Sequence, residues 1–285
     1  MKRMFLGIAV SLFMVVSYGQ ATTNKKASIQ LIRNATLVFN YAGKEFLIDP
    51  MLAKKGAYPG FEGTANSHLR NPLVELPVPA ESLLNPDAII VTHLHPDHWD
   101  EVAIKILPKD KPLYAQNEQD AEAIKSVGFK DVRILSDKSH FENIKFQKTE
   151  AQHGSDELYA NPQMAAIMGE ASGFFFKESG QKSVYFVGDA IWTSSFESNL
   201  RKLNPDVVVL NTGFAQVNGF GAIIMGKEDV TRVHKVLPNA TIIAVHMEAI
   251  NHCILSRKEL AEYVKSNGIS DKVIIPVDGQ VIKLY

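Results

Sequence analysis

The chain has 285 residues, 46% of them hydrophobic and 21% charged, with a formal net charge of -1. This is ordinary globular composition, long enough for one large domain or two small ones, and it excludes disorder as the general condition. Acidic and basic residues are interspersed, so no surface resembles the electrostatic footprint of a phosphate-backbone binder, and nucleic acid is not an expected partner.

The opening MKRMFLGIAVSLFMVVSYGQATTNKK places Lys2 and Arg3 before an apolar stretch from Met4 to about Val16, followed by small residues. That is the layout of a secretory signal peptide, and the stretch is short for a membrane span. Residues 1–21 are read as this leader, cut after Gly19 or Ala21, with an uncleaved anchor as the alternative. The mature protein is then expected in the periplasm or outside the cell, without stable membrane insertion. Cys253 is the only cysteine, so no intramolecular disulfide forms. A lone thiol is more often a small buried apolar group than a nucleophile.

Residues 28–33, 35–40 and 45–50 have strand character, and YAGK supplies a glycine-containing turn between the last two, so the fold opens as a meander. Residues 51–80 are rich in Gly and Pro and carry Met51, Leu52, Tyr58 and Phe61. A loop this long is usually functional, and it reads as a lid or substrate loop or as a plain surface insertion. A buried strand is expected at 87–92, then helices at about 100–107 and 117–127. Further strands fit 143–152, 172–178, 183–188, 206–211, 241–246, 272–277 and 280–285, and helices fit 193–203, 227–237 and 256–268. In the last helix Ser256 can cap the start with Glu259 completing a capping box, and Gly268 can end it. Strands first, then strand-helix alternation, suit two sheets packed face to face with helices outside, an α/β (α+β) domain over residues 28–285.

The strand at 87–92 runs into THLHPDHWD, which places three of the nine histidines within six positions. If the chain is extended through His93 and His95, alternate side chains point the same way and both imidazoles can reach one ion. The turn at Pro96 then aims Asp97 and His98 toward a second ion. Imidazole and carboxylate are the ligands of catalytic zinc sites, where water fills a remaining position, whereas without a metal these groups would have to be solvated or paired. Later strand ends supply more candidates: His153 in AQHG, Asp189 in VGDA, and His246 at the end of TIIAVH. His252 lies six residues beyond and competes with His246; the end of an apolar strand favours His246. His252 then becomes a residue behind the ligands or in contact with substrate. His68, His140 and His234 lie outside these motifs and read as surface or structural residues.

This order, HxHxDH, a lone His, Gly-Asp and a strand-terminal His, resembles the metallo-beta-lactamase fold superfamily over essentially the whole mature chain. TLVFNYAGKEFLIDP resembles that family's opening strands, and MGEASGFFF, GDAIW and VHMEAINH resemble a branch of bacterial hydrolases with ascorbate-phosphate lactonase-like and N-acyl-phosphatidylethanolamine phospholipase-like members. The resemblance implies a four-layer αββα sandwich with metals at one edge of the sheets. It implies that His93, His95 and His153 hold one metal and Asp97, His98 and His246 a second, with Asp189 bridging. Many relatives carry Thr or Ser after Gly-Asp; here Ala190 removes that hydroxyl.

Two divalent ions can share a hydroxide and lower the pKa of water from about 16 toward about 7. Asp97 and Asp189 would orient the attacking oxygen, and Asp97 or an imidazole would pass a proton to the leaving group. No Gly-x-Ser-x-Gly elbow is present. The expectation is a dinuclear metal-dependent hydrolase of ester, lactone or phosphodiester bonds in a small or lipid-like substrate. Zinc is the first choice of metal, and manganese or iron is accepted by the same ligands. Alternatives are a beta-lactam hydrolase, which Asp189 disfavours, and an iron-dependent oxidoreductase, whose diiron forms commonly replace a motif histidine by Glu where this chain keeps His95. A metal-binding protein without turnover is a third. Trp99 and Trp192, beside the metal motifs, fit a greasy pocket wall or ordinary core packing.

Overall fold

The computed structural model describes residues 26–285; the leader read over residues 1–21 lies outside them. The chain forms β1 (Ser28–Arg33), β2 (Thr36–Tyr41), β3 (Lys44–Ile48), β4 (Ala88–Val91), α1 (Glu101–Ile106), β5 (Leu113–Ala115), α2 (Glu118–Ser126), β6 (Val132–Ile134), β7 (His140–Phe141) and β8 (Ile144–Ala151). It continues through α3 (Asp156–Ala160), α4 (Pro162–Met168), β9 (Ala171–Phe176), β10 (Val184–Phe186), α5 (Ser194–Leu203), β11 (Val207–Asn211), β12 (Gln216–Val217) and β13 (Gly221–Ala222). Last come α6 (Lys227–Val236), β14 (Thr241–Val245), α7 (Arg257–Ser266), β15 (Val273–Ile274) and β16 (Val281–Lys283).

Two seven-stranded sheets result, ordered β16-β1-β2-β3-β4-β5-β6 and β15-β14-β11-β10-β9-β8-β7. The meander β1-β2-β3 is antiparallel, and β3 through β6 pair in parallel. In the second sheet β8, β9 and β10 are antiparallel neighbours, whereas β10, β11, β14 and β15 run parallel. Parallel strands need crossovers, and the helices of these crossovers cover the outer faces.

An aromatic layer fills the space between the sheets. Phe146 stacks on Phe176 at 4.6 Å, Phe174 stacks on Phe186 at 4.8 Å, and Phe39 meets Phe176 edge-on at 5.2 Å. A separate apolar cluster joins α1 and α2 to the first sheet through Ala103, Ala121 and Ile124 against Ile89 and Val91. Another joins α5, α6 and α7 to the second through Phe196, Val230 and Leu260 against Val208 and Ile242. The architecture is therefore helix, sheet, sheet, helix, as expected.

Asp100 caps α1 by accepting from Ala103 N at 2.7 Å. Ser256 caps α7 by accepting from Glu259 N at 3.1 Å. The reciprocal half of the expected capping box is replaced, because the Glu259 carboxylate pairs with Lys227 on α6. Two short helices, α3 and α4, occupy a stretch to which the sequence assigns no element. Ser155 Oγ caps the first, and Asn161 Oδ1 caps the second ahead of Pro162.

Candidate metal centre

Parallel strands deliver their C-terminal ends to one edge of the sandwich, and the singled-out residues gather there. Beyond β4 the chain continues through His93 to His95 and then turns, with His98 N and Trp99 N both donating to His95 O at 2.9 Å. His153 follows β8, Asp189 follows β10 and His246 follows β14. One ligand atom from each of His93, His95 and His153 lies within 4.8 Å of the others, and the same holds for Asp97, His98, Asp189 and His246. Asp189 joins the two groups: its Oδ2 is 3.3 Å from His98 Nε2 and 3.4 Å from His153 Nε2.

Each of the five histidines turns one ring nitrogen outward to a protein partner. His153 Nδ1 donates to Ile223 O at 2.9 Å and His95 Nε2 to Ile167 O at 3.0 Å. His98 Nδ1 donates to Asp49 Oδ2 at 2.8 Å. The Thr92 hydroxyl gives its proton to Asp49 Oδ2, so it accepts from His93 Nδ1 at 3.0 Å. His246 Nδ1 lies 3.3 Å from Cys253 Sγ. A carbonyl can only accept, so His95 and His153, when neutral, present lone pairs at their other nitrogens. These inner nitrogens crowd together: His93 Nε2 is 3.0 Å from His95 Nδ1, and His98 Nε2 is 3.1 Å from His246 Nε2. Two lone pairs, or two N–H groups, facing each other at such distances repel, and a cation between neutral rings removes the conflict. With buried Asp97 and Asp189 adding negative charge, the donor set fits two divalent ions.

The electrostatics without cations agree. Burial opposes ionisation of Asp97 and Asp189, yet the surrounding imidazoles, His98 and His246 foremost, outweigh it and hold both carboxyls well below the usual range. Burial likewise opposes charge on His98, but Asp189, Asp97 and Asp49 push it up to about 10. His246 is raised well above its ordinary value by Asp189, Cys253 and Asp97 against the effect of burial. Burial lowers His153 to about 4 and holds His93 well below its ordinary value.

Local backbone serves the site. Gly188, just before Asp189, has φ +72°, and a Cβ there would sit 2.4 Å from Ser172 O. Only glycine fits, which accounts for the Gly-Asp pair. Asn34, Asp49 and His246 are non-glycine residues at φ 56°, 45° and 62°, a concentration of unfavourable backbone at functional positions. Asn34 holds Asp97 and His246 together, its Nδ2 donating to Asp97 O at 3.1 Å and lying 3.3 Å from His246 Nε2. Asn211 Nδ2 donates to Asp189 Oδ1 at 2.6 Å. No sequence pattern singles out Asn34 or Asn211, and for Asp49 the Asp-Pro that follows β3 is the one signal.

His95, Asp97, His153 and Asp189 line one side of a cavity of about 470 Å³. Its other walls are mostly apolar, with Met164 and Met168 from α4, Val217, Phe220 and Ile223 around β12 and β13, and Phe61, and they also carry Glu62, Thr64 and Asn218. No described residue lining it is Lys or Arg. Of the apolar residues in the 51–80 loop, Phe61 alone lines this cavity; Met51 and Leu52 are buried in separate apolar clusters. Neither tryptophan lines it. Trp99 packs on Phe129 at 5.3 Å, and Trp192 lies under the Arg232 guanidinium at 4.0 Å. His252 lines the cavity but belongs to neither donor group. Burial pushes its pKa down to about 4. His68, His140 and His234 are likewise in neither group.

A model described as the beta-lactamase superfamily domain matches residues 44–247. The UPF0173 protein YddR of Bacillus subtilis is 45% identical over 254 residues, 89% of this chain and 98% of that protein. The crystal structure of isothiocyanate hydrolase from Delia radicum gut bacteria is 52% identical with a TM-score of 0.88, covering 90% of this chain and 98% of that one. A Veillonella parvula structure described as a possible metal-dependent hydrolase is 45% identical with a TM-score of 0.89, covering 91% and 100%. By sequence and by architecture alike, the chain belongs to the beta-lactamase superfamily, with the metallo-beta-lactamase fold and a place in the UPF0173 family.

Proposed function

We propose that the protein is a metal-dependent hydrolase whose His93, His95 and His153 hold one divalent cation and whose Asp97, His98 and His246 hold a second. Asp189 is shared between them, zinc is the expected metal, and the substrate is a small neutral electrophile with an apolar tail, an isothiocyanate first. The observation that carries this reading is the position of Asp189 between both donor groups, on a cavity whose other walls are mostly apolar and hold no Lys or Arg. Bound cations would supply Lewis-acid polarisation and lower the pKa of water toward about 7.

The substrate tail is held by Phe61, Met164, Met168 and Phe220, which exclude water around the reacting carbon. Asp97 and Asp189, both ionised, accept hydrogen bonds from the attacking water and take its proton. The water oxygen bonds to the central carbon of N=C=S, the C=N π pair moves to nitrogen, and nitrogen receives the proton. The resulting thiocarbamate still carries the second water proton on oxygen; as its C–N bond breaks, the bonding pair goes to nitrogen and that proton passes from oxygen to nitrogen, giving an amine and carbonyl sulfide. Carboxylic esters and lactones meet the same requirements of a neutral head and apolar tail. Phosphodiesters fit less well, because no Lys or Arg lines the cavity to hold an anion. The leader read over residues 1–21 assigns this activity to the periplasm or the exterior; among the described residues no helix is long and apolar enough to cross a membrane.

The test is purified protein loaded with zinc or manganese and assayed on benzyl isothiocyanate by amine release, beside p-nitrophenyl esters, lactones, phosphodiesters and a beta-lactam. Activity that survives complete chelation, or a preference for phosphodiesters over every neutral substrate, would overturn the reading.

A further inference from the structure

His252 stands apart from the donor groups yet is placed like a residue with work to do. The residue is 6% exposed, and its Nδ1 is buried without a hydrogen-bond partner. Buried imidazole nitrogens are normally paired; with no acceptor for a proton at the enclosed Nδ1, the neutral ring carries its proton on Nε2, the nitrogen that is not enclosed, on a residue that lines the cavity. The ring is also held in place. The edge of Phe61 meets it at 5.1 Å between centroids with the planes at 73°, and the His252 carbonyl accepts from Gln216 N at 3.0 Å. The neighbouring Asn251 side chain accepts from Phe61 N at 3.0 Å, so the two rings are fixed against each other by the backbone on both sides.

We infer that His252 is the substrate-positioning residue of this site: its imidazole N–H donates to the outer acceptor atom of a linear neutral head group, while Phe61 carries the start of the apolar tail. This rests on the hydrolase reading and deepens it, since it selects substrates with a hydrogen-bond acceptor beyond the electrophilic carbon, as in N=C=S. Anionic heads lack a cationic partner among the lining residues.

The experiment compares wild type with His252→Phe and His252→Gln, all cation-loaded. His252→Phe keeps the ring shape and removes an unpaired polar atom, so its metal content should stay at the wild-type value and its Tm should hold or rise. Its kcat/KM for benzyl isothiocyanate should fall by about 10- to 100-fold. His252→Gln, which restores a donor, should recover part of that loss. Benzyl azide, a linear neutral isostere that cannot be hydrolysed, gives a readout independent of turnover: calorimetry should show binding to wild type and binding weakened about 10-fold in His252→Phe. Loss of a cation in His252→Phe would make the residue a ligand and overturn the inference. So would a falling Tm with unchanged azide affinity, or the absence of azide binding to wild type. If wild type binds azide in the expected way but hydrolyses no isothiocyanate, the proposed substrate fails while the role of His252 stands.

Discussion

Asp49 Oδ2 accepts from His98 Nδ1 at 2.8 Å, and the same carboxylate takes the Thr92 N–H and hydroxyl, both at 2.8 Å. Because Thr92 Oγ1 in turn accepts from His93 Nδ1, one buried side chain at the end of β3 orients an imidazole in each donor group. Partners behind the ligands typically change metal affinity 10- to 100-fold. Asp49→Asn should therefore lower cation affinity by about 10- to 100-fold, measured by competition with a chromophoric chelator, while the protein stays folded. Unchanged affinity at both sites would show that His98 is oriented by packing alone.

Asn251 ties the 51–80 loop to the segment that carries His252. Its Oδ1 accepts from Phe61 N at 3.0 Å and Asn71 Nδ2 at 2.8 Å, and its Nδ2 donates to Thr64 Oγ1 at 2.9 Å and Ala65 O at 2.7 Å. Asn251→Ala removes these bonds and leaves buried groups unpaired, a loss of about 2–4 kcal/mol. Denaturant unfolding should show that loss, with KM raised more than kcat is lowered, because Phe61 is freed while the ligands stay put. A variant as stable as wild type would mean the loop is held by its apolar contacts.

Gly188→Ala tests the backbone beneath Asp189. The added methyl meets Ser172 O at 2.4 Å in a left-handed conformation, so β9 and β10 must part or Asp189 must move. Destabilisation of at least about 2 kcal/mol is expected, together with weakened binding at both sites, since Asp189 adjoins both. Selective loss at one site, by metal titration, would contradict the shared position.

What the sequence made legible follows from periodicity and chain order. His93 and His95 sit two apart on extended chain, and His153, Asp189 and His246 end apolar runs, so an edge shared by strand ends could be read before any coordinates. The walls could not. Helix α4 spans Pro162–Met168, too short for a 3.6-residue period to stand out, although Asn161-Pro162 is a start signal. Proximity in sequence also misleads about direction. Trp99 follows His98 directly, yet it turns into the layer beside α1 and packs on Phe129. Likewise Met51 and Leu52 leave the 51–80 loop for separate cores, and Phe61 is the apolar residue of the four that reaches the cavity.

Cation uptake should be a proton-release reaction. In the cation-free protein, burial disfavours charge on His98, but Asp189, Asp97 and Asp49 outweigh it and set its pKa at about 10; His246 is also well above 6.5. Both rings are imidazolium at neutral pH, and ligation requires them neutral, so filling the site should expel about two protons. Titration calorimetry in buffers of different ionisation enthalpy counts them, and zero release at neutral pH would sink the ligand assignment. The sign for stability follows from the same shifts. A raised pKa gives His98 a contribution that is complete below 6.5 and lost as pH rises through about 10. His153, lowered to about 4, behaves oppositely: its contribution is in place above 6.5 and is lost as pH falls toward about 4. Cation-free protein should therefore lose Tm on both flanks of neutrality. Cation-loaded protein should lose it on the acid side alone, because bound cations replace the protons on His98 and His246.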